Sequence, residues 1–391
     1  MLVIQAFSAL AAGGAIVCAQ YIGQKNKEKA NESARQVLFI ITAISVAVSL
    51  ICLVFQKPLL RLIFGSVEPA VMSASETYFF YTALSFPFIA AYDSAASIFR
   101  AQDNTKGPMI ISMISNVMNI GGNAILIWVF HMGVAGAAIS TLVSRIFCAV
   151  VVLYQLRKDR QPIVVRDYLK IRPDGKMIGR ILALGIPSGI ENSMFQLGKL
   201  AIQSTVSTLG TTAIAAQAMT NMLEMLNGTA VIGVGIGLMT VVGQSLGAGR
   251  KDEAVYYMKK LMAFSEVFLI ICCAVVYALA RPITMIGGME AKSAEMCLDM
   301  MFWITIVKPM VWMFAFIPAY GMRAAGDVKF SMITSCITMW TFRFCLCVYL
   351  IRVCGMGPMA VWIGMFTDWT VRAIVFGLRF KSGKWMEHKV V

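Results

Sequence analysis

The chain has 391 residues, of which 59% are hydrophobic and only 14% charged, with a mean hydropathy of +0.75. Soluble domains carry about 25% charged residues, and a water-soluble fold could not cover this much apolar surface, so the composition specifies an integral membrane protein. A net charge of +14 would suit nucleic acid only if it gathered on one folded surface, and it does not.

Apolar runs long enough to cross about 30 Å of hydrocarbon fall at 2–22, 37–56, 77–99, 108–130, 134–156, 180–208, 213–245, 260–280, 298–322, 330–350 and 358–378. None shows the period-two alternation of a β-barrel strand, so eleven helices are predicted in an all-α polytopic fold. The opening MLVIQAFSAL lacks the basic region of a cleavable signal peptide. The connections alternate in charge. Of the 34 Lys and Arg residues, 24 lie after the odd-numbered spans and in the tail, counting Arg180 and Lys260 at the first position of the following span, while five lie in the intervening connections. The positive-inside rule places the basic side in the cytoplasm. The expected protein is a multi-pass plasma-membrane protein with its C-terminus inside and Met1 facing outward. The ten cysteines (Cys272, Cys273, Cys345 and Cys347 among them) sit mostly in apolar runs without a CxxC pair, so they read as small hydrophobes. His131 and His388 offer little for a metal, and neither a metal nor another cofactor is expected.

The sequence repeats itself. AQYIGQKNKEKA at 19–30 matches GQSLGAGRKDEA at 243–254, pairing Gln20 with Gln244, Gly23 with Gly247 and Lys27 with Lys251. FRAQDNTKGPM at 99–109 matches MRAAGDVKFSM at 322–332, and HMGVAGAAI at 131–139 matches VCGMGPMAV at 353–361. The offsets stay at 222–224 residues, which marks one duplicated unit. The copies lie six spans apart, so both run the same way through the bilayer as a parallel repeat. An intact pair would have six spans per half. The 180–208 span has no counterpart after Met1, so the sequence reads as one that starts within its second helix. Four regions follow: an N-terminal lobe at 1–156, a basic cytoplasmic linker at 157–179, a C-terminal lobe at 180–378 and a cytoplasmic tail at 379–391.

Polar residues inside spans are informative because a charge at membrane depth costs at least about 2.5–3.5 kcal/mol. Ser188, Asn192, Gln196, Lys199 and Gln203 step by four, four, three and four residues, and so share one helix face. Gln217, Asn221 and Glu224 do the same on the next span, and Ser112, Asn116, Asn119 and Asn123 on the fourth. Such stripes either glue helices together by hydrogen bonds or line a wet cavity between the halves. Glue is an even alternative for Asn116, Asn119 and Asn123, whereas the charged Glu191 and Lys199 favour the cavity. A carboxylate that burial pushes toward its neutral form can exchange a proton, or hold Na⁺ beside amide oxygens; Glu191 and Glu224 are the candidates for cation coupling. Asp368 and Arg372, spaced i,i+4, are expected to form a structural ion pair with Arg343. Glu266 and Asp93 lie nearer the cytoplasmic ends. Pro87, Pro187 and Pro309 are expected to bend their helices, and the glycine-rich run from Gly228 to Gly247 to pack closely.

With AQYIGQKN and GQSLGAGR in each half, the chain resembles the multidrug and toxic compound extrusion (MATE) family of cation-coupled antiporters. FRAQDNTKGPM, MRAAGDVKFSM, GIPSGIENSMFQLG and FTDWTVRAIVFGLRFKSGKW carry the same resemblance across nearly the whole length. It implies two six-helix lobes in a V around a central cavity, exporting amphipathic, often cationic compounds as Na⁺ or H⁺ flows in. It also implies an acidic residue on a first helix that this sequence lacks, and a second-half carboxylate that Glu191 matches. Partners would be the lipid bilayer and small organic molecules, with the protein a monomer. A flippase for lipid-linked saccharides is the alternative and would need arginines such as Arg145 and Arg343 in the cavity; an inactive fragment is another. An enzyme is excluded for want of HExxH, a paired-aspartate motif or a nucleophile with a histidine partner.

Overall fold

A segment this apolar must satisfy its backbone internally, and the helix is the one open-chain structure that does so. The computed structural model describes residues 2–64, 68–158, 161–166, 168, 171–388 and 390–391; among these there is no strand. The helices run α1 (Leu2–Gly23), α2 (Lys27–Val54), α3 (Gln56–Phe64), α4 (Pro69–Leu84), α5 (Phe86–Ala101), α6 (Lys106–Ala124) and α7 (Gly133–Leu156). They continue as α8 (Gly175–Val206), α9 (Thr211–Gly247), α10 (Lys251–Ile286), α11 (Ala291–Ala324), α12 (Val328–Thr338), α13 (Leu346–Arg352) and α14 (Met359–Lys381). Among the described residues, nine helical stretches are long and apolar enough to span a membrane. The other two predicted spans are also helical: 77–99 is divided between α4 and α5, and 180–208 is α8 with its polar stripe.

Several helices start well outside their apolar windows. α2 begins at Lys27, where the Asn26 side chain accepts a hydrogen bond from the Lys29 N–H at 3.1 Å. Such a cap lets the polar first turns stay helical beyond the hydrocarbon. Pro87 marks a break rather than a bend. The helix stops at Ser85 and Pro87 falls in the first turn of α5, where its missing N–H costs nothing. Pro187 and Pro309, by contrast, lie inside the continuous helices α8 and α11.

The duplication is written into the backbone. Lys25 and Gly249, at an offset of 224, both have positive φ, at 58° and 75°. Asp103 and Gly326 repeat this at 63° and 92°, and Gly133 and Gly355 at 53° and 65°. The bonds around the turns match as well: Asn26 N–H to Tyr21 O and Arg250 N–H to Ser245 O, then Asn104 N–H to Phe99 O and Asp327 N–H to Met322 O. Each closes a helix with the six-to-one bond of a Schellman turn. The second copy uses glycine where a left-handed residue is cheap; the first makes Lys25 and Asp103 bear it.

Packing divides the chain into two compact units, Met1–Gly189 and Ile190–Val391. The division falls inside α8 rather than at the linker, because the start of α8 packs into the first unit. Arg180 donates to the Tyr21 hydroxyl at 2.6 Å, a Cβ on Gly13 would lie 2.6 Å from the Gly185 nitrogen, and one on Gly185 would lie 2.9 Å from the Leu10 side chain. The linker is tied down in the same unit. Gln36 donates to Arg172 O at 2.7 Å, Ile163 N–H donates to the Gln102 side chain, and Val164 N–H to that of Asn31. Tyr168 donates to Leu153 O at 2.6 Å, and burial pushes its phenol up to about 12. In this unit α1 packs on α2 and α5, and α7 on α4, α5 and α6; in the second, α11 packs on α9, α10 and α14. Outward-facing Val117, Ile120, Val267, Ile271 and Val275 are exposed, as suits lipid.

Candidate functional site

The second unit encloses a cavity of about 610 Å³, within the roughly 300–1,000 Å³ usual for small-molecule sites. One wall is the α8 stripe: Asn192, Gln196, Lys199 and Gln203 all line it, with Glu191 at its edge. α9 adds Gln217, Asn221 and Glu224. Gln217 accepts from the Trp362 indole N–H at 3.1 Å and donates to Asn221 at 3.3 Å, so the amide is held facing inward.

The opposite wall is aromatic. Trp312, Phe316, Tyr320 and Arg323 step by four, four and three residues along α11 and line the cavity together. Trp312 and Phe316 stack with their centroids 4.8 Å apart. The helical spacing of this aromatic face is as legible in the sequence as that of the polar stripes. Close approach explains two glycines of α9: a Cβ on Gly228 would lie 3.1 Å from Lys308 Nζ, and one on Gly235 2.6 Å from the Tyr320 ring. Gly233 and Gly237 face open space instead.

Both candidate coupling carboxylates have a cationic partner. Arg323 Nη2 donates to Glu191 Oε1 at 2.7 Å. Lys308 is fully buried and donates to the Glu224 carboxylate, the Glu224 carbonyl and the Asn227 side chain, with its ammonium 5.3 Å from the Trp312 ring centre. Three donors meet three acceptors, which satisfies the ammonium. Asp368, Arg372 and Arg343 also meet: Arg372 Nε lies 2.7 Å from Asp368 Oδ1, and Arg343 Nη1 lies 3.8 Å from Oδ2. Arg372 further donates to Ser335 O at 3.1 Å.

Arg343 sits in a π-helical turn, Met339–Cys345, between α12 and α13; such turns recur at functional sites. α14 crosses this turn at Gly364, where a Cβ would lie 2.8 Å from the Arg343 carbonyl oxygen. Gly364→Ala is expected to force the two segments apart and cost about 1–3 kcal/mol, read as a lower midpoint of thermal unfolding in detergent.

The stripe on the fourth span lies elsewhere. Asn119 donates to Thr141 at 3.3 Å, Asn123 donates to Asn119 at 3.3 Å, and Ser140 donates to Asn119 O at 3.0 Å. Asn119 therefore clasps α6 to α7 in the first unit with Asn123 bonded to it along α6, Asn116 is exposed, and none of the three lines the cavity of the second unit. Arg145 donates to Ser85 at 2.6 Å, closing the α4–α5 break, and does not line that cavity either. His388 reaches Asp327 at 3.2 Å, beside Arg379 at 2.8 Å, and so anchors the tail.

Comparison with known proteins agrees with this architecture. Over 392 residues the chain is 25% identical to the probable multidrug resistance protein NorM of Thermotoga maritima, covering 97% of this chain and 82% of that one. It is also 25% identical to the uncharacterized transporter YisQ of Bacillus subtilis, covering 99% and 85%. An outward-facing structure of a multidrug resistance MATE family transporter of the MOP superfamily superposes with a TM-score of 0.90 at 18% identity, over 98% of this chain and 86% of that one. The MatE family model matches residues 1–125 and 187–349. Members of that family are transporters rather than enzymes, and this multi-pass membrane chain belongs to it, the MatE family.

Proposed function

We propose that the protein is a secondary active efflux transporter, exporting amphipathic drugs or toxic metabolites across the plasma membrane in exchange for Na⁺ or H⁺. The observation that carries this reading is the cavity itself. It is of drug size, has an aromatic wall, and is flanked by two carboxylates, each held by a cation. The relatives named as probable multidrug resistance proteins support the same reading. The basic connections support a cytoplasmic tail and an outward-facing start.

The ion pairs supply the coupling. Glu191 and Arg323 attract one another only while the carboxylate is charged. A proton on Glu191, or Na⁺ beside it, cancels that attraction and frees Arg323 to move. A ligand that favours the released state more than the paired one shifts the balance between them by its differential affinity. Glu224 and Lys308 form the second such pair, whose cation is fully buried and so more costly to leave alone.

Glu191→Gln mimics the neutral carboxylate permanently. In vesicles loaded with a fluorescent amphipathic dye, tried in cationic and anionic forms, wild-type efflux is expected to follow an imposed Na⁺ or H⁺ gradient. The variant is expected to lose that dependence. Unchanged ion dependence in Glu191→Gln would remove Glu191 from the coupling.

A further inference from the structure

Five cations surround the cavity of the second unit: Lys199, Lys308, Arg323, Arg343 and Arg372. Three carboxylates answer them. Glu224 is taken by Lys308, Glu191 by Arg323, and Asp368 by Arg372 at 2.7 Å. Lys199 is left without an ion pair among the described residues, and Arg343 has only the longer, 3.8 Å arm of the Asp368 carboxylate that Arg372 already holds, so the cations outnumber the carboxylates by two.

The two leftover cations converge. Lys199 Nζ and Arg343 Cζ each lie 5.0 Å from the centre of the same Phe195 ring. Lys199 is exposed to the cavity, and Arg343 is buried in its wall. Arg343 Nε and Nη1 have no hydrogen-bond partner, and its nearest carboxylate oxygen stands 3.8 Å away. A buried guanidinium whose donors are unmet is costly. Nothing in the fold requires Lys199 either, since the same helix face carries neutral Asn192, Gln196 and Gln203.

We infer that the cavity recognises an amphipathic organic anion, its carboxylate or sulfonate lying between Lys199 and Arg343 and its rings against Trp312, Phe316 and Tyr320. This rests on the efflux reading above and narrows its substrate class. It runs against the expectation of a cationic substrate, which would enter a cavity already carrying uncompensated positive charge. Arginine and lysine donors to a carboxylate form strong, charge-assisted hydrogen bonds, and the stacked Trp312–Phe316 pair offers an apolar surface for an aromatic body.

Purified protein in liposomes, driven by Na⁺ or H⁺ gradients, is offered carboxyfluorescein as the anion and ethidium as the cation. The wild type is expected to move carboxyfluorescein. Lys199→Gln should raise its half-saturating concentration about tenfold or more, as loss of a charged hydrogen bond requires, while Lys199→Arg largely restores it. For ethidium the same substitution should act in the opposite direction, because it removes a repulsion. An equal thermal midpoint for the three proteins shows that folding is not what changed. Movement of ethidium without carboxyfluorescein, or equal weakening of both dyes by Lys199→Gln, overturns the anion assignment and leaves the efflux reading standing. Movement of neither dye under either gradient overturns both.

Discussion

Replacing Glu224 by leucine is expected to destabilise the protein by about 3–5 kcal/mol, the cost of leaving a buried charge without its partner. Lys308 has no solvent exposure, and its ammonium donates to two oxygens of Glu224 and to Asn227. Leucine keeps the main-chain carbonyl and removes the negative charge. Asn227 alone cannot neutralise an ammonium, and neither can the Trp312 ring. The double variant Glu224→Leu with Lys308→Met replaces the pair by apolar groups of similar size, which is often neutral or stabilising. Its melting temperature in detergent should therefore lie near that of the wild type, far above that of Glu224→Leu. Equal losses in the single and double variants would show that Glu224 matters through packing rather than through its charge.

Asp368→Asn should be similarly damaging, again by about 3–5 kcal/mol. The aspartate is fully buried and lies between two nearly buried guanidiniums, Arg372 and Arg343. Asparagine retains the shape and one acceptor for Arg372 Nε, but it leaves two positive charges facing each other. Arg343→Met should behave differently. It removes a side chain whose Nε and Nη1 have no hydrogen bond and whose ion pair with Asp368 is the longer one, and it leaves the shorter Asp368–Arg372 pair intact, so it should cost less than about 1 kcal/mol or even stabilise. Thermal unfolding of the two variants side by side reads the difference. A residue that costs stability where it stands is better explained by what it binds than by what it holds together. A large loss for Arg343→Met would instead make it a structural brace.

The elements that could be read from sequence share a physical basis. Apolar windows of about twenty residues locate the spans because the bilayer sets the length. The i, i+4 spacing of Asn192, Gln196, Lys199 and Gln203 locates one cavity wall because a helix turns by 3.6 residues. The repeat was legible to the residue, since the matched motifs coincide with turns that close in the same way. What stayed hidden depends on partners far apart in the chain. Lys308 is a charge within the 298–322 span, but nothing local says that it meets Glu224, 84 residues away. Arg323 read as a cytoplasmic repeat residue, and only folding sets it against Glu191, 132 residues distant. The Asn119–Asn123 stripe has the same spacing as the cavity stripes yet serves to join α6 and α7, so periodicity reports a face without saying what that face meets. The π-helical turn that carries Arg343 has no local marker either.

Efflux through this protein requires a hydrated cavity walled by the polar face of α8. Single cysteines at Asn192, Gln196 and Gln203, in a background with the ten native cysteines replaced, should react in native membranes with a small water-soluble maleimide. Cysteines at Ile271 and Val275, on the exposed apolar face of α10, should stay protected. Labelling at all five positions alike, or protection at all five, would contradict the cavity and the transport reading built upon it.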